Sequence, residues 1–147
     1  MQTLLTIGYE QRTPETFLGA LQKHDVEVLV DVRDRAGSRK AGFSKTALRQ
    51  LLGAAGIRYV HFRELGVPAP IRKMFREHKL SFREYLQRYR LHLNHQADHV
   101  AELTQLCEQQ RCCLMCVERD PEECHRSALV DILATESSVA LEVRDVP

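Results

Sequence analysis

Cys116, Glu118, Cys124, His125 and Arg126 crowd into one stretch, LMCVERDPEECHRSALVDIL, from Leu114 to Leu133. Two thiols, a carboxylate, an imidazole and a guanidinium at this density suit metal ligation, thiol catalysis, proton transfer or anion binding. Spacing sorts these possibilities. Cys113 and Cys116 make a CxxC, but an odd offset on a strand sends the two side chains to opposite faces. Cys116, Cys124 and His125 offer three ligands at most, too few for structural zinc; no metal is assigned, and a catalytic ion stays open. A phosphatase-type loop holds its cysteine six residues before its arginine. That position here is Asp120, which excludes such a mechanism and weakens a rhodanese-like one. As thiols, Cys116 leaves a strand and Cys124 stands near a helix N-terminus, settings that lower a thiol pKa. Cys112 and Cys113 read as core. Glu118 lies two residues beyond Cys116 on the same face, so Glu118, His125 and Arg126 suit acid/base work on an anionic substrate. The competing reading is a Glu118–Arg126 ion pair that locks a loop.

A second group gathers earlier. Asp31 and Arg33 are two apart in an apolar run, hence on one face, and a carboxylate there must be paired or protonated. They are either an acid held beside a cation for catalysis or a structural pair. The following loop carries Arg35, Ser38, Arg39, Lys40 and Lys45, with Gly37 and Gly42 between them, and runs into a helix capped by Ser44. Cations on such a loop, ending at a helix N-terminus, suit a phosphate; the alternative is a solvated charge run. Gly8 at a strand end permits close backbone approach or serves turn geometry alone. Tyr9 and Phe43 offer aromatic faces for a base. Without a GxGxxG or a Walker loop, dinucleotide and P-loop sites have no support.

These groups need elements to position them. Leu4–Gly8 reads as a first strand, and Thr13-Pro14 opens a helix to His24. Val26–Val32 is apolar on both faces, as buried parallel strands are. A Ser44-capped helix ends at Gly56, and Ile57–Phe62 is a third strand. Gly66–Pro70 is a loop with two prolines, and the whole span from Gly66 to Leu80 is a long connection of the kind that is often functional. Ser81–Gln110 is helical with a break near Asn94. Cys112–Val117 is a fourth strand, Pro121–Ala134 a helix, and Val139–Val143 a last strand at an edge. Alternating strands and helices predict a single Rossmann-like three-layer α/β domain over residues 1–147, with a mostly parallel sheet of about five strands and helices on both faces. In such sheets ligands bind beyond the carboxyl ends of the strands. That edge gathers Gly8, Tyr9, Asp31, Arg33, Cys116 and Glu118.

The 147 residues carry a formal net charge of +1, so overall charge does not single out nucleic acid. Basic residues dominate between Arg33 and Arg90. No signal peptide and no membrane-spanning run is apparent, and five cysteines confined to Cys107–Cys124 do not form a spread disulfide framework. Reduced thiols in the cytoplasm are expected.

The segments TIGYE, LVDVRDRAGSRKAGFSK, LLGAAGIRYVHFRELG and LMCVERDPEECHRSALVDIL, in this order, resemble the DUF488 family of uncharacterised bacterial and archaeal proteins. The resemblance covers nearly the whole chain, and its most specific part is CxE followed by PxxCHR. The pattern falls on Gly8, Tyr9, Asp31, Arg33, Ser38, Arg39, Phe43, Gly66, Cys116, Glu118, Cys124, His125 and Arg126. Two departures are Arg35-Ala36-Gly37, where the family often has a proline before its SR pair, and Val67 after Gly66, where a second glycine is common. The resemblance implies an α/β domain with its motif residues at the strand ends and supplies no substrate.

Three functions follow. The first is an enzyme on a nucleotide, nucleic-acid base or other phosphate-bearing substrate. Glu118 or Asp31 would act as nucleophile or base, for instance at an N-glycosidic bond, with Cys116 and His125 beside them. Gly8, Tyr9, Arg33, Ser38, Arg39, Phe43, Cys124 and Arg126 would hold the substrate, without a cofactor. The second is a redox or sulfur-transfer protein using Cys116 and Cys124. The third is a noncatalytic nucleic-acid-binding module using the basic middle of the chain.

Overall fold

A computed structural model of the chain describes residues 1–37, 40–118 and 124–147. Five strands form one parallel sheet: β1 (Gln2–Gly8), β2 (Val28–Asp31), β3 (Arg58–His61), β4 (Cys112–Cys116) and β5 (Leu141–Asp145), in the order β3-β2-β4-β1-β5. Six helices cover it: α1 (Pro14–Lys23), α2 (Lys45–Ala54), α3 (Ala69–Arg76), α4 (Phe82–Asn94), α5 (Ala97–Gln109) and α6 (Arg126–Glu136). This is the three-layer α/β architecture expected from the alternation of elements.

Side-chain alternation on the strands splits the core in two. Leu5, Ile7, Leu29, Cys113 and Met115 pack under α1 and α2 with Phe17, Leu21, Leu48 and Leu52. Leu4, Val28, Val30, Leu114 and Cys116 face the other layer, against Tyr89, Leu103, Leu129 and Leu133 of α4, α5 and α6. Both faces of β2 and β4 are buried, which is why these strands are apolar without alternation. β5 pairs with β1 alone and lies at the edge, as expected, though in parallel and starting two residues later than the sequence suggests.

Local chemistry sets the helix starts. Thr13 and Ser81 each form a capping box, and Ser44 caps α2 through the Ala47 amide. The expected break near Asn94 separates α4 from α5. One element departs from the sequence reading: a helix, Ala69–Arg76, starts inside the expected Gly66–Pro70 loop and occupies much of the connection to Leu80. Pro70 sits in its first turn, where a missing N–H costs nothing, and Ile71 and Phe75, one turn apart, pack on the core. The described part of α6 begins at Arg126, and the expected start at Pro121 lies outside the described residues.

The sheet order also creates a crevice. The connection after β2 runs outward to β3 through α2 on one face. The connection after β4 runs the opposite way to β5 through α6 on the other. Adjacent strands whose connections diverge in this manner leave a gap at their carboxyl ends.

Candidate functional site

That gap holds a cavity of about 350 Å³, lined on one side by Arg33, Asp34, Arg35 and Gly37 and on the other by Cys116, Val117, Glu118 and His125. Tyr9 lies between the two walls, and Arg72, Phe75, Arg76 and Tyr85 form a third. Sequence reasoning gives no place to this third wall, because it assigns no helix between Pro70 and Ser81; the helical spacing of Ile71 and Phe75 is the signal that could find it. Another cavity, of about 300 Å³ between α4, α5 and α6, includes Arg90, Asp131 and Glu136 but is remote from the strand ends.

Asp31 has no exposed surface and does not line the crevice. Its two oxygens take the Arg33 guanidinium in a fork, Nε at 2.9 Å and Nη2 at 2.7 Å, and one of them also accepts from the Tyr59 hydroxyl at 2.5 Å. Arg33 spends Nη1 on the Phe43 carbonyl at 2.9 Å and stands 5.3 Å from the centre of the Tyr9 ring. Burial works against the Arg33 charge, but the Asp31 carboxylate outweighs it and raises its pKa. Burial, followed by the Asp31 charge, likewise pushes the Tyr59 hydroxyl up.

Tyr9 and Phe43 stack on each other with centroids 4.7 Å apart, and Phe43 is wholly buried. Phe43 therefore supports Tyr9 and offers no face to the crevice. Phe75 and Tyr85, stacked at 4.4 Å, are the other rings on its wall. Burial, with the Glu118 charge second, raises the Tyr85 pKa. Gly8 ends β1 opposite Cys116, and its carbonyl accepts from Arg12. Ser38 and Arg39 lie outside the described residues.

The end of β2 is held from two sides. His61 donates Nε2–H to the Arg33 carbonyl at 2.6 Å, and His125 donates Nε2–H to the Val32 carbonyl at 2.9 Å. That bond leaves Nδ1 of His125 as the lone-pair nitrogen, 3.6 Å from Cys124 Sγ. Burial lowers the His125 pKa to about 4, so the ring is neutral near pH 7.

Cys116 and Cys124 are joined as a disulfide. This corrects the expectation of reduced thiols for that pair: the sulfurs converge because α6 returns over the face of β4 that carries Cys116. Cys107, Cys112 and Cys113 are free and buried. Arg126, the first residue of α6 and wholly buried, donates Nη1–H to the Glu118 carbonyl at 2.8 Å and to Cys116 Sγ at 3.4 Å. Its Nη2 lies 3.3 Å from Asp145 on β5. Arg126 thus holds the Glu118 main chain, and among the described residues its carboxylate partner is Asp145.

An α/β domain with its reactive groups at the carboxyl ends of a parallel sheet is the class that fold and crevice define. Within it the chain belongs to DUF488, a domain of unknown function, whose family profile matches residues 13–133. No curated protein and no solved structure matches at a significant level. No helix among the described residues is long and apolar enough to cross a membrane.

Proposed function

We propose that the crevice binds a phosphate-bearing molecule with a planar ring, a nucleotide or a nucleic-acid base with its phosphate, and that Glu118 performs acid/base or nucleophilic chemistry on it. The observation that carries this reading is the convergence of Arg35, Arg72 and Arg76, from two separate connections, beside Phe75 and Tyr85. Arg72 gives one hydrogen bond to Asp34 at 3.3 Å, and its buried Nε has no partner among the described residues. Arginine forks on phosphate and aromatic faces on a base are complementary to such a ligand. Asp31 then acts as a positioning residue that orients Arg33; of the two carboxylates on the crevice wall, Asp34 is engaged by Arg72, and Glu118 is the one suited to attack or deprotonate, as at an N-glycosidic bond.

Calorimetric titration with nucleoside monophosphates, nucleosides and inorganic phosphate tests the reading. The phosphate-bearing ligands are expected to bind, with affinity falling at least tenfold in R72A/R76A. E118Q is expected to bind normally and to lose turnover. Nucleotide binding indifferent to both arginines would overturn the assignment.

The disulfide on the crevice wall favours a second reading, exchange of the Cys116–Cys124 dithiol with a substrate disulfide. It predicts that mild alkylation of the reduced protein modifies Cys116, which lines the crevice, before Cys107, Cys112 and Cys113, which do not. Uniformly inert cysteines would remove it.

A further inference from the structure

Cys116 Sγ, Cys124 Sγ and His125 Nδ1 all lie within 4.8 Å of one another, and all three residues are buried. We propose that, with the two thiols reduced, these atoms bind a zinc-class divalent cation whose fourth coordination position opens into the crevice. The inference does not depend on which ligand the crevice takes.

Four observations carry it. The imidazole is oriented as metal-binding histidines are: Nε2–H is committed to the Val32 carbonyl at 2.9 Å, so the lone pair of Nδ1 is directed toward the sulfurs. The backbone spacing suits an ion. The Cα atoms of Cys116 and Cys124 stand 7.5 Å apart, beyond the roughly 7 Å that a disulfide ordinarily bridges. Two thiolates each about 2.3 Å from a tetrahedral ion have their sulfurs about 3.8 Å apart, which this wider spacing accommodates. The charges balance as well. Two thiolates neutralise a dication, and Arg126, next to Cys116 Sγ, is already matched by Asp145, so no net charge is buried. Lastly, Cys116 and His125 line the crevice while Cys124 does not, so the open side of a three-ligand set faces the cavity. Three protein ligands of this type with one position left over is the arrangement of catalytic rather than structural zinc, and that position would take water or an anionic oxygen of the crevice ligand.

Binding by the dithiol releases its two thiol protons. The disulfide is the competing state: a small-molecule disulfide accepts the two electrons of the pair, becomes two thiols, and joins the sulfurs. Ion and disulfide exclude each other, so uptake requires the reduced chain.

The test uses the full chain, reduced with a phosphine and titrated with Co²⁺ alone, then with Zn²⁺. The expected result is one Co²⁺ per chain with thiolate-to-cobalt charge-transfer absorption, displaced by Zn²⁺ and absent from the oxidised protein. C116S, C124S and H125Q should each weaken binding at least tenfold. In wild-type protein, which avoids any folding defect of the variants, Zn²⁺ should protect Cys116 and Cys124 from alkylation when modification is mapped residue by residue. No charge-transfer band in the reduced wild type, or a band that survives in both C116S and C124S, overturns the site. Either failure leaves the anion reading standing, because Arg35, Arg72 and Arg76 take no part here.

Discussion

A carboxylate with no exposed surface must find a cation or surrender its charge, and Asp31 finds Arg33 through a two-point fork. The offset of two on a strand makes that pairing legible from sequence, and the apolar run around Asp31 makes it necessary. What spacing alone leaves open is the role, because an acid poised for chemistry and an acid holding an arginine look alike in one dimension. The remaining partners, Tyr59 and the Phe43 carbonyl, come from β3 and from the connection between β2 and α2, and depend on the tertiary fold. The geometry leads to a prediction. Asp31→Asn leaves Arg33, only 6% exposed, without its countercharge. Breaking one side of a buried pair costs about 3–5 kcal/mol, so urea denaturation should show a loss of that order. Asp31→Asn combined with Arg33→Met should recover much of it, since the stranded charge is gone. A single variant as stable as the wild type would show that Asp31 does not serve as structural support.

The placement of whole elements explains why one crevice wall escaped the sequence reading. Two prolines within a few residues suggest a loop, yet Pro70 occupies the helix turn that tolerates it, and α3 delivers Arg72, Phe75 and Arg76. That Cys116 and Cys124 could meet is legible in the strand-turn-helix order, but the bonded pairing is not, because it depends on where α6 lands on the sheet and not on their separation of eight. Strands β2 and β4 were readable for the opposite reason: burial on both faces leaves an apolar run that few other structures require. Between β3 and α3, Gly66 fixes how close the two crevice connections come. A Cβ there would lie 2.6 Å from the Asp34 Cα and 2.8 Å from the Arg33 carbonyl carbon, both main-chain atoms that cannot swing aside. Gly66→Ala should therefore displace the Arg33–Gly37 wall. We expect it to destabilise the domain by about 1–3 kcal/mol, as overpacking does, and to weaken phosphate binding in calorimetry even though Gly66 itself does not line the cavity. Unchanged stability and binding would mean that the loop yields freely.

Taken as a whole molecule, the crevice exists only through long-range order. Its walls come from the ends of β1, β2 and β4, from α3 and α4, and from His125 at the head of α6. The rule that ligands sit beyond the carboxyl ends of parallel strands points to this edge from the sequence alone. The strand order β3-β2-β4-β1-β5, which places the divergence between β2 and β4, came only from the fold. A site assembled this way is lost when the sheet is lost, so a ligand that fills it stabilises the whole domain and not one loop. By mass action a ligand at one hundred times its Kd adds about 2.7 kcal/mol, which for a domain of this size is a rise in thermal midpoint of roughly 5–10 °C. Nucleoside monophosphate should produce such a rise in a single cooperative transition, with little effect from the nucleoside lacking phosphate. Arg72→Ala with Arg76→Ala should flatten the response while leaving the midpoint of the free protein within about 2 °C, because both side chains lie near the surface and surface changes are usually worth under about 0.5 kcal/mol. A midpoint unmoved by saturating nucleotide, or moved equally in the double variant, would separate the crevice from phosphate recognition and return attention to the thiol wall.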